Sequence, residues 1–398
     1  MVVLSNNDGC AVARSAEVKA LGIKMGQPWF QMQQIAKQHG IVAYSSNYAL
    51  YGDMSARVVH VLSNYTPDLE VYSIDESFLR VETTMHLWNG AIGMGQHIKN
   101  QVLQHTGLPV CVGLGSSKTM AKLANHIAKK NPQFNGVCDL ANMPEAQRQS
   151  WYKAISVSEV WGVGRQLSQH LYKLNIHTVL DLAQAPIKQI RGLFGVVLER
   201  TVKELQGQSC LALEDLPPSK EQIMSSRSFG RPVTALPELK EAVAWHIHSA
   251  AAKLRAQGSC AGAVHVFLQT NRFKPDQAQY HPGLTIALPQ PSQNTLHLSQ
   301  VALATLEQIF KPNYCYKKTG IMLLDLQNKA QQQASFFDDE SANLQSEKTM
   351  ILMDQINRRF GKATLRSAAT GVHQSWKMKS QSKSPSYTTS WQELPEVS

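Results

Sequence analysis

The stretch Tyr72–Ser73–Ile74–Asp75–Glu76–Ser77–Phe78 places two adjacent carboxylates between two short apolar runs, Leu69–Ser73 and Phe78–Val81. The runs predict two strands joined by a tight turn. Side chains of neighbouring strand residues point to opposite faces, but this alternation relaxes at a turn, so both acids can reach one site. Hard divalent cations such as Mg²⁺ are held by one or two carboxylates together with substrate phosphates. The alternative interpretation is a solvated acidic turn, which is common in proteins.

Around this turn, the first 150 residues alternate between strand and helix patterns. Further strands are predicted at Val2–Leu4, residues 41–44 and Val110–Leu114, and helices at Ala11–Leu21, Tyr48–Leu62, Ala91–His105 and Lys118–Lys130. Strands that alternate with helices indicate an α/β or α+β sheet with helices on one face.

The rest of the chain divides into three segments. Residues 151–225 carry short amphipathic patterns separated by Gly-containing turns, which predicts a small all-helical domain. Residues 226–330 predict a second α+β domain with strands at Val264–Gln269 and Thr319–Leu326 and helices at Leu239–Gln257 and Thr295–Phe310. The third segment, residues 331–398, contains the end of a Gln-rich linker and one predicted helix, Glu347–Phe360.

The charge of the 398 residues is unevenly distributed. The formal net charge is +10, and residues 226–330 hold 11 Lys/Arg against 5 Asp/Glu, an excess of +6. A basic segment of this size suits a phosphate backbone, although a solubilising basic surface is the alternative. No apolar run reaches the ~20 residues of a membrane span. The N-terminus lacks signal-peptide features and the six cysteines form no C-x-x-C pair, so we expect a cytoplasmic protein without thiolate metal sites.

Two further motifs suggest contact with phosphates. The sequence VGLGSSK at residues 112–118 runs from a strand through glycines into a basic helix, where N–H groups and lysines suit an anion. Its spacing does not match a Walker P-loop, and a solvated helix face is the alternative. The turn Gly162–Val163–Gly164 before Arg165 resembles a helix-hairpin-helix element, which contacts DNA phosphates without reading sequence. A purely structural turn is the alternative.

In this order, YSIDESF (72–78), VGLGSSKTMAKLANHIAKK (112–130) and VWGVGRQLSQHLYKLNIHTVLDLA (160–183) resemble the Y-family of translesion DNA polymerases. The flanking segments at residues 2–30, 45–58 and 353–366 are similar to the bacterial UmuC branch of that family. The resemblance covers essentially the whole chain. It implies a multidomain α+β right-hand polymerase that performs error-prone synthesis past lesions in the SOS response.

The resemblance also implies roles for individual residues. Asp75 and Glu76 match the second acidic motif, so Asp75 is expected to bridge two catalytic Mg²⁺ ions and Glu76 to lie near the primer terminus. Lys19 and Lys129 fall where the family binds the incoming triphosphate, and Gly162, Gly164 and Arg165 fall on the DNA-binding turn. The finger position that is usually Tyr is Ala16 here.

The expected domains follow the same resemblance. They are fingers and a ferredoxin-like palm in residues 1–150 (fingers about 5–68), a helical thumb in 151–225, a DNA-binding little finger in 226–330, and a clamp-binding linker with a UmuC-type tail in 331–398. Gln333, Phe336 and Phe337 resemble the motif that docks bacterial polymerases into the sliding clamp; tucking back onto the preceding domain is the alternative. The expected partners are primer–template DNA, dNTP, the cleaved UmuD dimer, RecA and the clamp.

The resemblance breaks at the N-terminus. The family begins with a palm strand that bears a metal-binding Asp and precedes the steric gate, whereas Met1–Leu4 matches the second palm strand. We therefore expect an incomplete two-metal site and impaired synthesis, through truncation or a misassigned start. Asp8, in Asn6–Asn7–Asp8–Gly9, is not expected to be a ligand. The alternatives are a non-enzymatic DNA- and clamp-binding remnant and an unrelated helix-hairpin-helix protein, the latter leaving the palm-like motifs unexplained.

Overall fold

The computed structural model describes residues 1–214, 219–331, 340–372 and 374–396, with only the backbone described at 331 and 340–344. The strands are β1 (Val2–Leu4), β2 (Ala11–Arg14), β3 (Ala43–Ser45), β4 (Leu69–Val71), β5 (Ser77–Leu79), β6 (Val112–Leu114), β7 (Val137–Asp139), β8 (Ile223–Val233), β9 (Ser259–Thr270), β10 (Gly283–Ser292) and β11 (Tyr316–Asn328). The helices are α1 (Ala16–Ala20), α2 (Trp29–Gln38), α3 (Tyr48–Leu62), α4 (Gly90–Thr106), α5 (Lys118–Lys130), α6 (Glu145–Ala154), α7 (Arg165–Lys173), α8 (Val179–Gln184), α9 (Ile187–Phe194), α10 (Val196–Leu205), α11 (Leu236–Ala256), α12 (Thr295–Ile309) and α13 (Glu340–Phe360).

The chain divides into two compact units. The first contains residues 1–47 and 218–385, and the second contains residues 48–217 and 386–398. Because the first unit combines the start of the chain with its C-terminal half, its formation depends on contacts between residues that are far apart in sequence. No helix in the described part of the chain is long and apolar enough to cross a membrane.

The first unit begins with a three-stranded sheet in the order β2-β1-β3. β1 pairs antiparallel with β2 and parallel with β3, and it buries Val2 and Leu4 against Val18 and Met32. The helix predicted over Ala11–Leu21 is wrong in its first half, since Ala11–Arg14 is β2 and only Ala16–Ala20 is helical. The apolar spacing of this segment permits a helix, but pairing with β1, which a local pattern does not contain, selects the strand.

The first unit also contains a four-stranded antiparallel sheet in the order β10-β9-β11-β8. Its apolar face packs with α11 and α12 in one core, to which β9 contributes Val264, Val266 and Leu268 at every second position. The strands predicted at 264–269 and 319–326 are confirmed and are longer at both ends. β8 and β10 were not predicted, because their exposed or polar residues give little apolar alternation. The first three residues of β8 lie inside the segment predicted to be all helical.

The second unit carries two short two-stranded sheets, the antiparallel pair β4–β5 and the parallel pair β6–β7. α4 packs Met94, Ile98 and Val102 into a core that Val112 of β6 also joins. The helices predicted at Tyr48–Leu62 and Lys118–Lys130 are confirmed to the residue. Helices α7 to α10 follow in the segment predicted to be helical, and α6 begins six residues before that segment. They surround a core that includes Leu171 and Val202.

The glycines of VGLG in β6 are required by close packing. A Cβ at Gly113 would lie 2.2 Å from the Ala121 carbonyl oxygen, and one at Gly115 would lie 2.5 Å from the Ala121 nitrogen. These glycines let β6 and the residue after it lie directly against α5, the helix that faces the acidic turn. Replacing either glycine with alanine would push the helix away.

Candidate active site

Strands β4 and β5 form a tight hairpin that presents the two adjacent carboxylates. The backbone N–H groups of Tyr72 and Ser73 both donate to the Glu76 carbonyl oxygen, at 3.1 and 3.0 Å, and close the turn. Asp75 is exposed at its tip. The Ser73 hydroxyl donates to Asp75 Oδ1 at 2.8 Å and accepts from the Asp75 N–H at 3.3 Å. The loop therefore fixes Asp75 through a local side-chain turn and leaves Oδ2 without a protein partner among the described residues.

Helix α5 places two lysines against this hairpin. Lys122 Nζ lies 2.5 Å from Glu76 Oε1, and Lys118 Nζ lies 2.5 Å from Glu70 Oε2. The four-residue spacing sets both lysines on one face of the helix. The Lys118–Glu70 pair is buried, with side chains 10% and 9% exposed, whereas Glu76 is 38% exposed. One pair therefore anchors the helix, and the other lies at the solvent edge of the acidic turn.

An aromatic cluster surrounds the lysines. The ring of Trp161 meets Tyr72 edge-on at 5.3 Å and lies 5.9 Å from Phe78. The ammonium of Lys122 lies over Tyr72 at 5.2 Å and over Trp161 at 5.5 Å, a cation–π arrangement that restrains both groups. Because Trp161 directly precedes Gly162, the structure brings the helix-hairpin-helix turn next to the acidic hairpin.

That turn combines one glycine in the left-handed region with one in an extended conformation. Gly162 has φ +87°, which favours glycine, while Gly164 is extended and precedes α7. Val163 between them is buried, and Arg165 at the start of α7 is exposed. The N-cap residue of α7, Gly164, has no side chain, and no described side chain caps this helix. Its first N–H groups therefore stay available to a phosphate oxygen.

The N-terminus of α5, in contrast, is already occupied. Ser117 Oγ accepts the Met120 N–H at 3.2 Å, and buried Glu204 accepts the N–H and hydroxyl of Thr119 at 2.9 and 2.7 Å. The prediction that backbone N–H groups after VGLG bind phosphate is therefore wrong for these two donors, because a cap residue and a carboxylate satisfy them.

The remaining predicted site residues lie in three places. Lys129 is exposed on α5, seven residues after Lys122 and so about 10 Å further along nearly the same face. Lys19 is exposed on α1, in the other compact unit. The predicted clamp-binding residues Gln333, Phe336 and Phe337 lie outside the described residues.

His126 lies between Lys122 and Lys129 in α5, and its surroundings favour the neutral imidazole. Burial, followed by the charge of Lys130, lowers its pKa from the ordinary value, although Glu159 lies 3.5 Å from its Nδ1. The positive charge of this helix face therefore comes from its lysines.

The donor set at the hairpin fits part of a hard-cation site. Asp75 and Glu76 offer carboxylate oxygens on a rigid turn, which is the chemistry that Mg²⁺ prefers. Within the described ranges, no group of three or more His, Cys, Asp or Glu side chains could hold a metal. Two carboxylates could supply only part of a coordination shell, and Glu76 is already paired with Lys122.

Comparisons with known proteins identify the family of the chain. Residues 1–126 match the model of the impB/mucB/samB family, and residues 220–336 match the C-terminal domain of the same family. Residues 347–397 match a domain of unknown function (DUF4113). Protein UmuC of Salmonella typhimurium is 41% identical over 398 residues, which cover 100% of this chain and 94% of that protein. Protein MucB of Escherichia coli is 40% identical, with 99% and 93% covered.

The fold is also similar to a solved structure. A chimera of the Y-family DNA polymerases Dbh and Dpo4 aligns with a TM-score of 0.62 at 18% identity, covering 82% of this chain and 91% of the chimera. The chain thus belongs to the Y-family DNA polymerases, which are nucleotidyltransferases, and within them to the UmuC branch. Its function is that of a UmuC-like translesion DNA polymerase.

Sequence reasoning missed two contributors to the site. Lys122 was noted only as part of a basic helix, and its i, i+4 relation to Lys118 was the available signal that both face one neighbour. Trp161 gave no such signal, since its contact with Tyr72 joins residues 89 positions apart in sequence.

Proposed function

We propose that this polymerase performs error-prone synthesis past lesions during the SOS response, with Asp75 and Glu76 as its catalytic carboxylates. The observation that carries the residue assignment is the hairpin tip itself, where Asp75 is exposed and Glu76 pairs with Lys122 on a helix bearing Lys129. A solvated structural turn would not require this convergence of lysines and aromatic rings. The SOS role rests on membership of the UmuC branch.

Asp75 and Glu76 would hold Mg²⁺, which suits their oxygen donors. When bound, the ion neutralises phosphate charge and favours ionisation of the attacking primer hydroxyl. The chain's own residues prepare this site in advance: Ser73 orients Asp75, and Lys122 holds Glu76 in place. Such preorganisation avoids rearranging charged groups during the reaction.

Lys129 and Lys19 would bind the triphosphate of the incoming dNTP. Lys129 lies about 10 Å along α5 from Lys122, a span suited to a nucleotide whose reacting phosphate meets the hairpin. Lys19 is exposed on the short helix α1. Both ammonium groups act as point charges on phosphate oxygens.

The primer–template duplex would be held in two places. The Gly162–Gly164 turn and Arg165 would contact phosphates as part of a thumb in residues 151–225. Residues 226–330, with their excess of +6, would form the little finger that grips the duplex. Residues 1–150 would then be fingers and palm, and 331–398 a clamp-binding linker and tail.

Primer extension on damaged and undamaged templates tests the proposal. We expect Mg²⁺-dependent extension that Asp75→Ala abolishes, while Asp68→Ala, at the far end of the same hairpin, retains it. Extension that survives in Asp75→Ala would refute the site assignment.

Salt dependence tests the little-finger assignment. We expect the double variant Arg272→Ala, Lys274→Ala to bind primer–template more weakly, with a salt slope shallower by about one per lost phosphate contact. Both residues are exposed in the loop between β9 and β10. The matched control removes two exposed lysines outside this segment, Lys348 and Lys362. Equal slopes in the two double variants would contradict the assignment.

We also propose that the polymerase binds the sliding clamp through Gln333, Phe336 and Phe337, and that it works in the cytoplasm with a cleaved UmuD dimer and RecA. The UmuD and RecA partners rest on branch membership alone. Aromatic anchors commonly contribute ~2 kcal/mol or more each. We therefore expect Phe336→Ala with Phe337→Ala to abolish capture by purified clamp and to leave DNA affinity unchanged. Undiminished capture would show that these residues pack within the protein.

A further inference from the structure

The sequence motif Asn6–Asn7–Asp8–Gly9 has no part in the proposed catalytic site, yet it lies in an unusual turn. Asn7 and Asp8 both have left-handed backbones, with φ of 61° and 51°. Asn and Asp are the residues other than glycine that adopt this conformation most readily, but two in succession are uncommon. Here the two side chains bind a backbone segment from the other end of the chain.

That segment approaches Asn7 and Asp8 through its main-chain N–H groups. The Lys379 N–H donates to Asn7 Oδ1 at 2.9 Å, and the Gln381 N–H donates to Asp8 Oδ2 at 3.1 Å. The other carboxylate oxygen, Asp8 Oδ1, accepts from the Ser45 hydroxyl at 2.6 Å. Both oxygens of this acid are therefore used, one by the segment and one by β3.

The same segment continues along β3. The Ser45 N–H donates to the Ser382 carbonyl at 2.9 Å, and the Ser382 N–H donates to Ser45 Oγ at 3.0 Å. Buried Asn47 then donates to the carbonyl oxygens of Ser384 and Pro385. Because β3 is the edge of the sheet β2-β1-β3, the segment covers an edge that would otherwise present unpaired groups.

The other end of the segment is anchored by an aromatic side chain. Trp376 is 3% exposed and belongs to the core between the sheet β10-β9-β11-β8 and helices α11 and α12, which together are called the four-stranded domain. Its ring lies 6.2 Å from that of Phe229. The Gly230 N–H donates to the Trp376 carbonyl at 3.3 Å, and a Cβ at Gly230 would lie 2.5 Å from the Lys377 carbonyl oxygen. Glycine is needed there for the backbones to approach so closely.

We propose that residues 374–385 form a releasable strap, which fastens the sheet β2-β1-β3 to the four-stranded domain with the Asn7–Asp8 turn as its receptor. The strap lies within residues 347–397, which match the domain of unknown function, and fastening the sheet is the role inferred for that part of the domain. This role does not depend on the polymerase assignment.

The two ends of the strap differ in a way that sets the order of release. Trp376 is held by apolar burial in a core, whereas residues 379–385 are held by hydrogen bonds from polar side chains and one strand edge. Hydrogen bonds exchange readily with water and contribute less than the burial of a large aromatic side chain. The segment 379–385 therefore detaches first, while Trp376 stays anchored.

Limited trypsin digestion of the full chain, read by mass spectrometry, tests the strap, because Lys379 and Lys383 lie within its docked part. Asp8→Ala and Ser45→Ala each remove receptor groups without a large loss of volume. Since each loses hydrogen bonds to the strap, we expect cleavage after Lys379 and Lys383 to accelerate about tenfold. Cleavage within β8 to β11 should keep its original rate.

Asp276→Ala is the matched control, since it removes an exposed carboxylate of the same unit that forms no hydrogen bond or ion pair with the described residues of the strap. Hydrogen exchange supplies a second measurement: the amides of Lys379, Gln381, Ser382 and Ser45 should lose protection together in both receptor variants. Cleavage and exchange unchanged from the control would overturn the proposal. So would equal acceleration throughout β8 to β11, because the strap would then be part of the core and not a separable element.

Discussion

Asp8 and Asp75 both lie in tight turns, but their surroundings differ. Both carboxylate oxygens of Asp8 accept hydrogen bonds, from Ser45 and from the Gln381 backbone. Asp75 is exposed, and its only described side-chain partner is Ser73 within the same turn. An acid whose oxygens are all used inside the protein has a structural role, whereas one held by its own loop keeps an oxygen for a ligand. The partners of a carboxylate therefore distinguish two roles that sequence spacing alone leaves open.

The largest expected effect concerns the buried pair beneath the Asp75 turn. Lys118→Met leaves Glu70 buried with only the Glu214 N–H as a described partner. Breaking a buried ion pair by removing one partner costs about 4 kcal/mol. We expect the free energy of unfolding to fall by that amount in urea denaturation. The double variant Lys118→Met, Glu70→Leu should recover most of the loss; a single variant as stable as the parent would show that the pair does not anchor α5.

The next effect separates the two acids directly. Asp75→Asn removes a carboxylate that would ligate the ion, so we expect this variant to bind Mn²⁺ about 100-fold more weakly. Electron paramagnetic resonance measures the affinity, and the free energy of unfolding should change little. Asp8→Asn should behave in the opposite way, with unchanged Mn²⁺ affinity and a stability lower by about 1–2 kcal/mol. Equal Mn²⁺ affinities in the two variants would contradict the conclusion that Asp75 binds a cation and Asp8 does not.

The smallest effect concerns the ion pair at the solvent edge. Lys122→Met removes a positive charge beside Glu76. The repulsion between that charge and a bound Mn²⁺ ion is about 1 kcal/mol, so its loss should tighten Mn²⁺ binding about fivefold. Stability should change little, because a partly exposed pair contributes at most about 1 kcal/mol. The control is Lys130→Met. Lys130 lies on the same helix as Lys122, is exposed, and pairs with Glu159. Tighter Mn²⁺ binding in the control to the same degree would mean that the effect is not local to Glu76.

Local pattern predicted the elements whose structure is decided locally. α3 and α5 were predicted to the residue because each carries a continuous apolar stripe, and α5 also has the cap residue Ser117. The acidic hairpin was recognised because its turn is short and its two strands pair with each other. The carboxylates and Lys129 could be placed on these elements from the sequence and the family resemblance.

Features that depend on distant partners could not be predicted in this way. Ala11–Arg14 has helical spacing but becomes a strand because β1 is its neighbour. The Thr119 N–H at the start of α5 is taken by Glu204, which lies 85 residues further along the chain. Two other features also depend on residues distant in sequence: the contact of Trp161 with Tyr72, and the hydrogen bonds of Asp8 with Gln381 and Ser45. In each case a tertiary contact supplies the decisive interaction, and the sequence around the residue does not contain it.

The strap has a consequence for biosynthesis. Its contacts join residues 337 to 373 positions apart, such as Asn47 with Ser384 and Asp8 with Gln381. At ribosomal rates of about 5–20 residues per second, the edge of β3 waits roughly 20–70 s before its partner is made. During that interval the nascent sheet presents an unprotected strand edge. The sheet β2-β1-β3 is thus protected only once residues 379–385 have been translated, and until then its exposed edge is an aggregation hazard for the nascent chain.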